Sequence, residues 1–103
     1  MAKIKVWISE PGQKPRHVWI SKSLSNLQNT VGGYIEYLAL ELGYGVICNE
    51  EGLLNDSKFN CEINKNMLFG TLIFVGLDER GDFVSCPLEL EEMKLRYPVL
   101  WRE

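Results

Sequence analysis

The side chains best suited to chemistry crowd into the first 22 residues of this 103-residue chain. Trp7 and Trp19 stand there among Lys3, Lys5, Arg16 and His17. Indole faces stack on nucleic bases at roughly 1–3 kcal/mol per base. Lysine and arginine bind phosphate, arginine in the planar bidentate manner. This set predicts a site for something flat and anionic. The competing explanation is packing, since aromatic clusters fill cores and subunit interfaces. A further candidate is Val31-Gly32-Gly33-Tyr34. Paired glycines let backbone approach a ligand closely and can offer N–H groups to an anion. An ordinary helix stop is the commoner reason for glycines in such a place. A helix C-terminus carries negative partial charge, so a ribose or base edge suits that position better than phosphate.

Catalytic and metal chemistry find little support. His17 is the single histidine. A nucleophile–base–orienter set needs a partner to fix the base, and no local signature supplies one. Walker, H-E-x-x-H and G-x-G-x-x-G patterns are absent, so no cofactor is expected. Asp78, Glu79 and Asp82 lack the positions of a full calcium loop and read as a turn, so no metal is expected either. Glu50 and Glu51 are adjacent and should diverge. Cys48, Cys61 and Cys86 are odd in number and far apart, which predicts reduced, mostly buried thiols in a cytosolic protein. No apolar segment approaches the ~20 residues of a membrane helix.

Hydrophobic residues make up 46% and charged residues 24% of the chain, which excludes a disordered or fibrous chain. Net charge is −3. Direct nucleic-acid binding is therefore disfavoured. The charge is uneven. Residues 1–22 hold five basic side chains and one acidic, whereas the remainder holds six basic and thirteen acidic. A basic N-terminal element on an acidic body is a pattern that marks anion sites.

The elements that must position these residues follow from periodicity. Residues 3–9 alternate as a half-buried strand, and Pro11-Gly12 opens a loop before a return strand over 16–20. With Ile4, Val6, Ile8, Val18 and Ile20 inside, Lys3, Lys5, Trp7, His17 and Trp19 share the other face. Ser21 or Ser23 caps a helix whose stripe is Leu24, Leu27 and Val31, ended by Gly32-Gly33. Strands are expected at 34–40, 44–48, 69–75 and from Phe83, with an irregular polar loop over 53–66. Ser85 and Pro87 mark the start of a second helix that Pro98 ends. Val99, Leu100 and Trp101 are expected to fold back on the sheet. The fold class is α+β: a single small domain, mostly antiparallel sheet with two helices, in the order β-β-α-β-β-loop-β-β-α.

Several segments carry a family resemblance. They are Glu10-Pro11-Gly12 with Pro15-Arg16, Leu27-Gln28 through Val31-Gly32-Gly33-Tyr34-Ile35-Glu36, Ile47-Cys48-Asn49-Glu50-Glu51-Gly52 with Asn55, and Gly70-Thr71, Ile73-Phe74-Val75-Gly76 and Gly81-Asp82-Phe83. In this order they resemble the domain of unknown function 3846 type, small proteins commonly encoded by phages, prophages and plasmids of gut-type Gram-positive bacteria. The resemblance implies an accessory protein of a mobile element, acting in a bacterial cytosol. By analogy, such a protein opposes host defence. The leading expectation is a non-enzymatic binder that sequesters a small nucleotide-type immune signal in a pocket between protomers of a homo-oligomer. Its candidate ligand-binding residues are Lys5, Trp7, Arg16, His17, Trp19, Gly32, Gly33, Tyr34, Glu36, Asn49, Glu50 and Asn55. The alternative is a protein–protein inhibitor of a host defence effector or nuclease, its acidic surface imitating nucleic-acid phosphates.

Overall fold

A computed structural model describes residues 2–52 and 57–101. The principal sheet holds β1 (Lys3–Ser9), β2 (Arg16–Ser21), β3 (Ile35–Glu41), β4 (Tyr44–Asn49), β7 (Leu72–Leu77) and β8 (Phe83–Val84). Its order is β2-β1-β7-β4-β3, with β8 paired to β7, and every pairing is antiparallel. A separate two-stranded sheet joins β5 (Phe59–Ile63) to β6 (Asn66–Phe69). Two helices, α1 (Leu24–Val31) and α2 (Leu90–Arg96), and a 3-10 turn over Pro98–Trp101 complete an α+β fold. No described helix is long and apolar enough to cross a membrane.

The sheet is covered on both faces, which is why the central strand β7 is apolar almost throughout. On one face Ile4, Val6, Ile8, Ile47, Ile73 and Val75 meet Leu27 and Val31 of α1. On the other, Trp7, Val46, Leu72 and Phe74 meet Met93, Tyr97 and Leu100 from the C-terminal segment, together with Cys61, Ile63 and Leu68 of the β5–β6 hairpin. The register of the first hairpin sets Lys5 opposite Trp19 and Trp7 opposite His17, which puts these four residues on one face, as the alternation requires. Ser23 caps α1 through its side chain, which accepts from the Asn26 N–H. Gly32 closes the helix at φ 83°, a conformation that favours glycine.

Three expectations are corrected. The loop over 53–66 is regular from Phe59 onward, forming the β5–β6 hairpin; residues 53–56 lie outside the described residues. Its turn is Asn64-Lys65, both with positive φ, and Ile63 pairs directly with Asn66. That is the backbone of a primed two-residue turn without the glycine that normally announces one. The strand expected over 69–75 is divided, because Gly70 at φ 77° ends β6 and β7 runs Leu72–Leu77. The second helix starts at Leu90 rather than near Ser85. Segment 85–86 bonds to β1 instead: Ser85 Oγ accepts from the Lys5 N–H and the Cys86 N–H donates to the Lys5 carbonyl, both at 2.9 Å. Glu89 then becomes the cap residue, its N–H donating to the Glu92 carboxylate at 3.5 Å.

Candidate functional site

The hairpin face does not assemble into an open aromatic shelf. Trp7 is only 3% exposed. Its indole N–H donates to the Leu88 carbonyl at 2.9 Å. His17 lies flat against one face of the ring, centroids 4.0 Å apart and planes 7° apart, and Trp101 meets it edge-on at 5.9 Å. The expected folding back of the last apolar residues thus seals Trp7. Trp7 serves as core, and its stacking role is withdrawn. Burial, aided by Lys5 and opposed by Glu89, holds the His17 pKa below the ordinary 6.5. The Arg16 guanidinium donates to Glu10 at 3.1 Å, so an anion there competes with a carboxylate. Trp19 is the exception, 61% exposed beside Lys5 on the sheet's β2 edge.

The paired glycines are occupied as well. The N–H groups of Gly32 and Gly33 both donate to the Gln28 carbonyl, at 2.8 and 3.0 Å. They finish the helix and leave no nest for an anion. A Cβ on Gly33 would stand 2.8 Å from the Asn49 amide nitrogen. That amide donates to the Val31 carbonyl at 3.2 Å, and its oxygen accepts from the Glu51 N–H at 2.8 Å. Asn49 therefore ties the end of α1 to the turn after β4. Tyr34 is exposed on a shallow depression shared with Gln28, Asn29 and Glu51. Asn55 lies outside the described residues.

What the fold does build is a cleft of about 340 Å³ between the β3–β4 floor and the β5–β6 hairpin. Glu36 and Leu38 of β3 and Cys48 and Asn49 of β4 form the floor; Asn66, Met67, Leu68 and Phe69 of β6 form a wall; Glu50 and Gly52 close one end. The hairpin is held over the sheet by Asn60. Its buried amide donates to the Ser9 carbonyl at 3.1 Å and to the Gly70 carbonyl at 2.9 Å. Phe59 against Phe69, in edge contact at 5.6 Å, stiffens the same end. The cleft joins three sequence-predicted residues, Glu36, Asn49 and Glu50, to a wall of which the sequence reading placed Asn66 in a loop and Phe69 in the next strand and left Met67 and Leu68 unassigned. Arg16, His17 and Trp19 sit on the edge strand opposite the one that carries Glu36, with Lys5 on β1 beside them. The signal for the missed wall was the apolar pair Met67 and Phe69 on either side of buried Leu68, which alone does not distinguish a strand from a pinned loop.

All three cysteines are buried thiols outside any disulfide. Burial pushes the Cys48 thiol up, with Glu36 adding to the effect, and burial likewise raises Cys86. The described residues contain no group of three or more metal-ligating side chains. The cleft thus offers two carboxylates, the Asn66 amide and apolar walls, while the Asn49 amide is already bonded to Val31 and Glu51.

A family model described as a domain of unknown function, DUF3846, matches residues 4–98. The chain belongs to the DUF3846 family. The match runs from β1 to the end of α2 and therefore includes both the hairpin and the cleft. No curated protein and no solved structure matches the chain.

Proposed function

We propose that this DUF3846 domain is a stoichiometric binder rather than a catalyst, and that its ligand is a small nucleotide-type molecule held in the β3–β6 cleft with its base inside and its phosphates outside. One observation carries the reading. Glu36 and Glu50 stand beside the apolar side chains of Leu38, Met67 and Phe69 in one cleft. Carboxylates accept from exocyclic amino groups and repel phosphate, so base-in and phosphate-out is the orientation the charges favour. The volume sits near the lower end of the ~300–1,000 Å³ usual for ligand pockets and suits a single base with its sugar. Against catalysis stand the raised thiol pKa values and the stacking of His17 on Trp7. As a mobile-element accessory in a bacterial cytosol, such a binder would sequester a defence signal.

Calorimetry with a panel of cyclic dinucleotides, cyclic ADP-ribose isomers and simple nucleosides tests this. Binding is expected for bases that bear amino groups, with the ligand recovered unchanged. Glu36→Gln should weaken it roughly tenfold to a hundredfold, the ~1.5–3 kcal/mol of a hydrogen bond to a charged group. A panel in which nothing binds, or in which Glu36→Gln binds as tightly as the parent, removes the reading.

A further inference from the structure

Among the described residues the principal sheet ends in two edge strands, β2 and β3, and their charges oppose each other. Residues 14–22 carry Lys14, Arg16 and Lys22 and no carboxylate; residues 33–52 carry Glu36, Glu41, Glu50 and Glu51 and no basic group. The Lys22 N–H donates to Ala2, so in this register Arg16, Val18 and Ile20 bond inward to β1 and His17 and Trp19 point their backbone groups outward. The Glu50 N–H donates to Tyr34, so Glu36 and Leu38 bond inward to β4 and Ile35, Tyr37 and Ala39 point outward. Four antiparallel steps separate β2 from β3, so the two edges run in the same direction.

We infer that β3 of one copy takes β2 of a second copy as its next, parallel strand, and that the partner's Trp19 completes the cleft. The phase fixes which faces meet. In a continued sheet the outward groups of Tyr37 span Val18 or Ile20, which puts Trp19 on the cleft face. With the partner's Trp19 opposite Leu38, the partner's His17 falls opposite Glu36, and on the other face the partner's Val18 meets Tyr37. Apolar meets apolar and imidazole meets carboxylate. Reversing the incoming strand would instead set Ile20 against Glu36. Pairing β3 with β3 would gather four carboxylates from Glu36 and Glu41 alone, and pairing β2 with β2 would gather cations. Among the described residues, the side-chain ion pairs Arg16–Glu10 and Arg96–Glu41 are exposed, and neither occupies a backbone group of an edge strand. Trp19 and the cleft residues, at opposite edges of one protomer, thereby become one site between two. A head-to-tail contact of this kind closes into a ring or extends as a filament, according to the sheet twist.

The inference rests on the cleft reading for its functional meaning and is tested apart from it. Sedimentation of the chain at high micromolar concentration should show assembly that weakens as salt is raised. Trp19→Pro and Ala39→Pro each remove one outward N–H and no inward bond, so each alone should remain monomeric. Mixed, they share a single intact β3–β2 contact and should form a 1:1 heterodimer. If circular dichroism shows either proline variant misfolded, Trp19→Glu and Ala39→Glu take their place. A parent chain that stays monomeric, variants that assemble like the parent, or folded variants that ignore each other overturn the inference. Undiminished ligand affinity in monomeric Trp19→Pro overturns the partner's contribution and leaves the cleft reading intact. Head-to-tail assembly with no ligand bound does the reverse.

Discussion

The N-terminal hairpin and the β5–β6 hairpin make a useful contrast. The N-terminal one carries residue types that advertise chemistry, two indoles, an imidazole and a row of cations. The fold spends most of them on itself: Trp7 is sealed by Leu88, His17 and Trp101, and Arg16 is tied to Glu10. The β5–β6 hairpin has the composition of a polar loop, yet it raises the wall of the cleft over Glu36 and Leu38. Residue type is a poor guide to availability. An aromatic ring yields more free energy buried against its own chain than waiting in solvent, whereas a cleft needs an overhang, and an overhang comes from topology.

The sharpest way to break this contrast is Trp7→Ala. If the indole is core, its loss should cost about 3–5 kcal/mol, a large share of a small domain's stability, and leave the Leu88 carbonyl without its donor. Urea denaturation reads this directly; a loss of ligand affinity with stability intact would return Trp7 to the site. A smaller effect is expected at Gly33→Ala. The added Cβ meets an Asn49 amide anchored at both ends, so accommodation should cost about 1–3 kcal/mol through overpacking. An unchanged melting temperature would show that Asn49 moves freely and that the end of α1 is loosely held.

The subtlest test is pH. His17 has a lowered pKa in the fold, so the folded state binds fewer protons than the unfolded chain between that value and 6.5. Its neutral form favours folding. That contribution is whole above 6.5 and is lost as pH falls below 6.5 toward the folded value. His17→Phe keeps a flat ring on Trp7 without titrating. The stability difference between parent and variant should therefore shift against the parent on acidification, and a difference that stays constant with pH would show the imidazole to be solvated rather than packed.

Periodicity made much of the architecture legible. Alternation over 3–9 and 16–20 announced the first hairpin, Ser21 or Ser23 and Gly32-Gly33 bracketed α1, and the apolar run at 69–75 contained most of the central strand. The β5–β6 hairpin escaped because Asn64-Lys65 takes a glycine-like turn without glycine. The start of α2 escaped because segment 85–86 found partners on β1, 80 positions away, which no local rule anticipates. Glu36, Asn49 and Glu50 were named from the segments that carry the family resemblance. That Glu36 and Glu50 line one cleft, while Asn49, also on its floor, braces α1, required the fold.

By itself, then, the sequence determined most strands of the principal sheet, the extent of α1 and the separation of basic from acidic segments, because each follows from residue types a few positions apart. Only the tertiary structure decided that Trp7 is core, that Trp19 and Glu36 stand on opposite edges of one sheet, and that a polar excursion overhangs a cleft. Those outcomes depend on contacts between distant segments, where burial of apolar surface outweighs local preference.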